Sequence, residues 1–353
     1  MINIWCDFIE RGFLQSGFQD LVHTGLINGA TTNPSIFANA FKSGNYQQAI
    51  QKIQETNSLQ SLSKKQYAKA IYEHLALEDV QTAAKILQPL YEQDSKNGLI
   101  SIEIDPYLCD DIESSIDEGK RLWQKLQCPN VMIKVPATSS GFVIMEKLMS
   151  AGIHVNATLV FSKEQVQNVL QAFQQAYKNL TNSTNNSSQV TQNPQGVISV
   201  FVSRYDREID EHLEKALRGK YGICNATDIY QDFIERNNNP YFRILFASTG
   251  VKERNEIYRD AGYYVYPLAF DHCVNTLPLT TIQEIDYKKL QQIQITNNEY
   301  NDTLLQELRH KLDSVGINAN ELAQKLLQQG LESFQASFQD ALNSFTNTPK
   351  GIL

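Results

Sequence analysis

Residues 131–161 read VMIKVPA TSSGFVIMEKLMSAGI HVNATLVF. The two ends, Val131–Ala137 and His154–Phe161, are near-continuous in apolar residues, as strands buried on both faces of a parallel sheet are. The stretch between them has the length and composition of a helix. Strand, helix and strand in this order predict a parallel unit with a helical crossover.

The same alternation extends in both directions. Further strands are expected at Ile2–Phe8, Leu26–Asn33, Leu99–Asp105, Val197–Tyr205, Arg243–Ser248 and Tyr263–Phe270. With the first two they make eight, and eight strands with intervening helices argue for an α/β fold of the (β/α)8 TIM-barrel type. The alternative is an open doubly wound sheet, but no GxGxxG follows any strand. Among the helices, Asp79 stands before Val80, Ala83, Ala84 and Leu87 as an N-cap candidate. Ile112, Ile116, Leu122 and Leu126 form a second apolar face. Ser162 and Gln165 open a third helix as a capping-box pair.

After about Pro278 the strand pattern fades. Leu304, Leu305, Leu308 and Leu312 suggest one helix, and Leu322 to Phe345 a long final one. The expectation is a single barrel domain over 1–353, with strands within about 2–270 and appended helices over about 280–347. Asn179–Gly196 is almost wholly Asn, Thr, Ser and Gln and predicts a polar surface loop.

With 42% hydrophobic and 20% charged residues in 353, the chain is of the ordinary globular class and not a disordered one. A net charge of −8 argues against nucleic acid as a partner. Five widely spaced cysteines without a CxxC pair argue against a disulfide framework or a zinc knuckle. No signal peptide and no apolar run of membrane-spanning length are present, so a cytoplasmic protein with no membrane partner is expected.

Barrel enzymes carry their sites at the C-terminal ends of the strands. Lys134 is the sharpest candidate there, a lysine inside an apolar strand. Burial disfavours an ammonium and favours the free amine that attacks a ketone to form a Schiff base. The competing reading is a lysine that reaches out of the strand end or is paired in the core. Asp7 and Glu103 are carboxylates that can shuttle the protons such chemistry needs, or can be structural ion-pair partners. Asn156 and Thr158 share one strand face, as do Ser199 and Phe201, and suit either polyol binding or internal hydrogen bonding. Asn33 before Pro34 reads by itself as a turn residue, and so does Asp105 before Pro106. Arg204, Ser248 and Lys252 are phosphate candidates around the Ser248-Thr-Gly-Val-Lys252 turn, or solvated surface polarity. No HxH or HExxH spacing exists, and no metal is expected.

Trp5-Cys-Asp7, Gly29–Phe37, Ser101-Ile-Glu103-Ile-Asp105, Met132–Thr138, Asn156–Phe161, Phe201-Val-Ser-Arg204, Ala247–Gly250 and Val274–Pro278 together resemble the transaldolase family. The resemblance runs through the whole barrel and reaches Gly330–Phe334 in the last helix. It implies a cofactor-free (β/α)8 enzyme with a Schiff-base lysine on strand four. Such an enzyme moves a dihydroxyacetone unit from sedoheptulose 7-phosphate to glyceraldehyde 3-phosphate, giving erythrose 4-phosphate and fructose 6-phosphate. It implies Lys134 as that lysine, Glu103 as acid/base through a water placed by Thr158, and Asp7 as base for the C4 hydroxyl. Asn33, Asn156 and Ser199 would hold the three-carbon unit, and Arg204 and Ser248 the phosphate. Where some family members carry an arginine just after the Ser248 position, Lys252 is the nearest cation here. Fructose 6-phosphate aldolases of this fold family carry Tyr at the Phe201 position, and Phe cannot protonate the carbanion. The remaining alternatives are an aldolase on the same site and a catalytically silent barrel that binds sugar phosphates or a protein partner. A monomer or homodimer is expected.

Overall fold

In the computed structural model, which describes residues 2–55, 61–184, 193–293 and 299–346, eight parallel strands close into a barrel in chain order. They are β1 (Asn3–Cys6), β2 (Gly29–Thr31), β3 (Leu99–Glu103), β4 (Val131–Pro136), β5 (His154–Val160), β6 (Gly196–Phe201), β7 (Phe242–Ala247) and β8 (Val274–Leu277). The barrel closes through β1 and β8, with Asn3 opposite Val274 and Trp5 opposite Thr276. Trp5 is fully buried in the lumen. Its indole needs Gly29 across from it, because a Cβ there would come within 2.5 Å of the ring.

Six of the expected strands are shorter in the structure, the seventh keeps its length but starts one residue earlier at Phe242, and the last is elsewhere. Tyr263–Phe270 has strand composition, but it forms a 3-10 turn at Tyr266–Leu268 with Pro267 in its first turn. Its aromatics pack outside the barrel: Tyr258 stacks on Tyr264, and Tyr230 stacks on Phe270 at 4.4 Å. The closing strand is Val274–Leu277, too short and too polar to stand out by composition. The barrel strands therefore run to 277 and not to about 270. The sixth strand ends at Phe201, and Arg204 lies in the helix Ser203–Ile209 that follows.

Asp79 is not an N-cap. It lies inside the helix Lys64–Gln93, which Ser63 and Gln66 begin with a capping box. There Asp79 is buried, accepting from Tyr46 Oη at 2.6 Å and Arg11 Nε at 3.1 Å, so a polar interior partner decided its place. The Ser162–Gln165 box forms as expected, with the Gln165 backbone N–H donating to Ser162 Oγ at 3.2 Å. Asp105 caps the 3-10 turn Pro106–Leu108. Of the polar stretch, 179–184 belongs to the helix Lys163–Thr184, residues 185–192 lie outside the described residues, and Gly196 opens β6.

The appended helices Asp302–Ser314 and Ala319–Thr346 return over the barrel. The last one buries Leu326, Phe334, Phe338, Leu342 and Phe345, each contributing about 1.5–3 kcal/mol of hydrophobic stabilisation. Ser337 bonds Ser35 at 2.7 Å, and Phe345 packs on Phe41. Gly330 lets this helix reach the catalytic end: a Cβ there would stand 2.7 Å from Leu159 and 3.2 Å from Arg204 Nη1. Among the described residues no helix is long and apolar enough to cross a membrane.

Candidate active site

Parallel pairing brings three candidates side by side. Glu103 on β3 is in register with Lys134 on β4, and Lys134 with Asn156 on β5. Side chains two apart share a face, so Lys134, Asn156 and Thr158 all point inward. Lys134 is only 5% exposed. Its Nζ lies 2.8 Å from Glu103 Oε1 and donates to the Thr32 carbonyl at 2.7 Å. The lysine therefore does not sit in a purely apolar cage. Its nearest carboxylate is within direct proton-transfer reach, and burial pushes the Glu103 carboxyl upward while Lys134 opposes the shift.

Asp7 stands just beyond β1. Thr31 donates to its Oδ1 at 2.6 Å, and the Thr276 hydroxyl lies 2.7 Å from that of Thr31. Thr32 serves the other pair, with its hydroxyl 2.8 Å from the Ser101 carbonyl and 3.2 Å from Glu103 Oε2. Thr31 and Thr32 orient all three ionisable groups, and sequence reasoning gave neither a role. The available signal was their place at a strand end, directly before the Asn33-Pro34 step.

Asn156 is fully buried and held from two sides. Its amide donates to Ser101 Oγ at 3.0 Å, and Ser199 Oγ donates to its Oδ1 at 2.7 Å. Thr158 is equally buried, yet its hydroxyl has no protein partner among the described residues, which leaves it for a water or a substrate oxygen. Asn33 caps the helix Pro34–Ala40, accepting from the Ile36 N–H at 3.0 Å. The turn reading was sound in this respect, and the amide nitrogen of Asn33 is not used by the cap.

The phosphate candidates gather around the next two strand ends, with one exception. Arg204 lies with its guanidinium 5.1 Å from the Phe201 ring centre. Burial and the neighbouring Arg207 push it down to about 10, so it remains a cation at neutral pH. Ser248 follows β7 and lies 3.0 Å from Ser203 Oγ. Lys252 is exposed, four residues farther along that loop. Two residues beside the site hold left-handed backbone without being glycine: Leu159, with φ +56° at a bulge in β5, and Ser248, with φ +55°. Such conformations cost about 1–2 kcal/mol each and cluster at functional sites. Gln165 secures the first, donating to the Leu159 and Ala137 carbonyls at 3.1 and 2.9 Å.

His154 opens β5, at the far end of the barrel from Thr158. It is held between Tyr91 Oη at 3.0 Å and the Gln195 N–H at 2.7 Å, and burial pushes it down to about 4. It is a neutral structural histidine.

The geometry supports nucleophilic amine chemistry with two carboxylates in attendance. Comparison with known proteins agrees with it. Residues 4–345 match the family model described as Transaldolase/Fructose-6-phosphate aldolase. A transaldolase of Helicobacter pylori (strain Shi470) is 42% identical over 349 residues, covering 97% of this chain and 99% of that protein. A transaldolase of Campylobacter jejuni subsp. jejuni (strain 81116) is 40% identical over 349 residues, covering 97% and 98%.

Proposed function

The chain belongs to the transaldolase/fructose-6-phosphate aldolase family and is an enzyme of the transaldolase type, and from that premise we propose that it works through a Schiff base on Lys134. The donor is sedoheptulose 7-phosphate, the acceptor glyceraldehyde 3-phosphate, and the products erythrose 4-phosphate and fructose 6-phosphate, in the non-oxidative pentose phosphate pathway. The observation that carries this reading is Lys134 Nζ, buried at the catalytic end of β4 and 2.8 Å from Glu103.

In this mechanism the Lys134 ammonium passes a proton to Glu103, the freed amine attacks the donor ketone as Glu103 gives that proton to the ketone oxygen, and Nζ then yields a second proton to Glu103. Glu103 passes this second proton to the carbinolamine hydroxyl, which leaves as water beside Thr158 and leaves the protonated imine. Asp7 then takes the proton of the C4 hydroxyl. The bond between C3 and C4 breaks, and its electron pair is drawn into the protonated imine. The shortened aldose departs while the three-carbon unit stays bound to Lys134, hydrogen-bonded by Asn33, Asn156 and Ser199. Addition to the acceptor aldehyde and hydrolysis reverse these steps. Arg204, Ser248 and Lys252 take the phosphate, and this remote contact positions the reacting end. Phe201 has no proton to give, which favours retention of the unit for an aldehyde acceptor over release of free dihydroxyacetone. No residue role in this scheme requires a cofactor. The chain is read as one barrel domain with appended helices, and its five unpaired, buried cysteines fit a cytoplasmic setting.

The test is borohydride reduction in the presence of fructose 6-phosphate, followed by peptide mass spectrometry. A reduced three-carbon adduct on Lys134 is expected. An adduct on another lysine, or none on folded protein, overturns the assignment.

A further inference from the structure

The end of the barrel opposite the catalytic residues contains a buried cation with no ion-pair partner among the described residues. Arg243, near the start of β7, is only 4% exposed. A guanidinium has five N–H donors. Among the described residues Arg243 makes one hydrogen bond, from Nη2 to the Lys96 carbonyl at 2.6 Å, and its buried Nε makes none. Its guanidinium carbon also stands 6.0 Å from the centre of the Trp5 ring. The charge of Asp94 reaches it through space without forming an ion pair. Cys273 is close, but burial pushes its thiol up to about 12, so it supplies no thiolate. Arg243 itself is pushed down by burial only to about 10 and stays charged at neutral pH. A buried cation that no carboxylate touches is costly to a fold unless something pairs with it.

Arg243 lines a cleft of about 530 Å³, large enough for a small metabolite. Lys96 and His272 stand on the same cleft, and Lys96 forms no ion pair among the described residues. His272 holds left-handed backbone, with φ +54°, a conformation that is uncommon away from glycine and recurs at ligand sites. Asp94 and Asp271 also face the cleft. Their carboxylates would repel a bare polyanion but can accept hydrogen bonds from hydroxyl groups.

We propose that this end of the barrel is a second, non-catalytic ligand site, in which Arg243 and Lys96 bind the oxyanion of a phosphorylated polyol while Asp94 and Asp271 accept from its hydroxyls. The planar guanidinium fork matches phosphate geometry, and the donors of Arg243 left unused by the protein are the ones such a ligand takes up. The site is separated from Lys134 by the layer of lumen side chains that includes Trp5. It stands independently of the mechanism above.

The experiment is calorimetric titration of the Arg204→Ala protein, which weakens the phosphate grip assigned to the catalytic end. The probes are inorganic phosphate and glycerol 3-phosphate, at matched ionic strength. One saturable site is expected, tighter for glycerol 3-phosphate. Adding Arg243→Met should weaken binding by about tenfold or more, as loss of a charge-assisted fork does. Adding Lys96→Met, a change at the rim that leaves the lumen intact, should weaken it by about threefold. Equal affinity for both probes keeps the oxyanion site and makes free phosphate its ligand. Absence of saturable binding overturns the proposal, as does binding that Arg243→Met leaves unchanged. If Arg243→Met does not fold, binding unmoved by Lys96→Met overturns it.

Discussion

Lys134 and Arg243 are both cations on barrel strands, 5% and 4% exposed, at opposite ends of one lumen. Lys134 has a carboxylate at 2.8 Å and a carbonyl at 2.7 Å. Arg243 has one carbonyl and an aromatic ring. Burial is common to the two, so burial alone does not make a nucleophile. The difference lies in what the charge can do with its proton. An ammonium beside Glu103 can hand over a proton and become an amine, whereas a guanidinium does not deprotonate in proteins and can only hold an anion.

The largest expected effect is at Lys134. Lys134→Met removes the nucleophile, and turnover should fall by about 10⁴-fold or more with the circular dichroism spectrum retained. Residual turnover within tenfold of wild type would break the comparison, since Lys134 would then be as inert as Arg243. Next comes Glu103→Gln, which keeps the shape of the pair but removes its proton acceptor. Turnover should fall by about 10²–10⁴-fold. Stability in urea should also drop, by up to about 3–5 kcal/mol, because the lysine charge is left unpaired in the interior. A variant of full stability and full activity would show that Glu103 is neither partner nor base.

The two ends also differ in how they answer to pH. Asp206, in the helix just after β6, is fully buried; burial first and the Asp210 charge second push it up to about 7 from 3.8. The native state therefore holds this proton more tightly than the unfolded chain. Its contribution is full below 3.8 and is lost as pH rises to about 7, amounting to roughly 4 kcal/mol at most. His154, at the opposite end, is pushed from 6.5 to about 4, so its contribution is full above 6.5 and is lost as pH falls to about 4, roughly 3 kcal/mol. The opposed slopes flatten the wild-type profile. Asp206→Asn should leave stability rising with pH across this window, and His154→Gln should leave it falling. Urea titrations from pH 4.5 to 7.5 check this, and parallel profiles for the two variants would refute it.

The smallest effect concerns Phe201. Phe201→Tyr places a proton donor beside the three-carbon unit, and release of free dihydroxyacetone should rise several-fold relative to transfer. An unchanged ratio would mean that retention of the unit does not depend on this ring.

Much of this was legible in the chain itself. Alternating apolar runs and helical faces are local patterns, set by which side chains must leave water, and they carried the barrel through seven strands. The motif around Lys134 marked the catalytic strand for the same reason, a charge inside an apolar run. The eighth strand was misplaced because Tyr263–Phe270 carries the aromatic content of a strand, while Val274–Leu277 earns its place only by pairing with β1 and β7. Asp79 was misread because Arg11 and Tyr46, which hold it inside a long helix, are distant in sequence.

What the sequence determined alone was the succession of elements and the kinds of chemistry at their ends. Only the tertiary structure decided which groups share a proton and which stand alone. Pairing of neighbouring strands places Glu103 against Lys134 and Thr31 against Asp7, and closure of the barrel brings Trp5 beneath Arg243 across the lumen. The physical reason is one of range: hydrophobic periodicity is written within a dozen residues, whereas the pairing of a buried charge depends on a few ångströms between strands far apart in the chain.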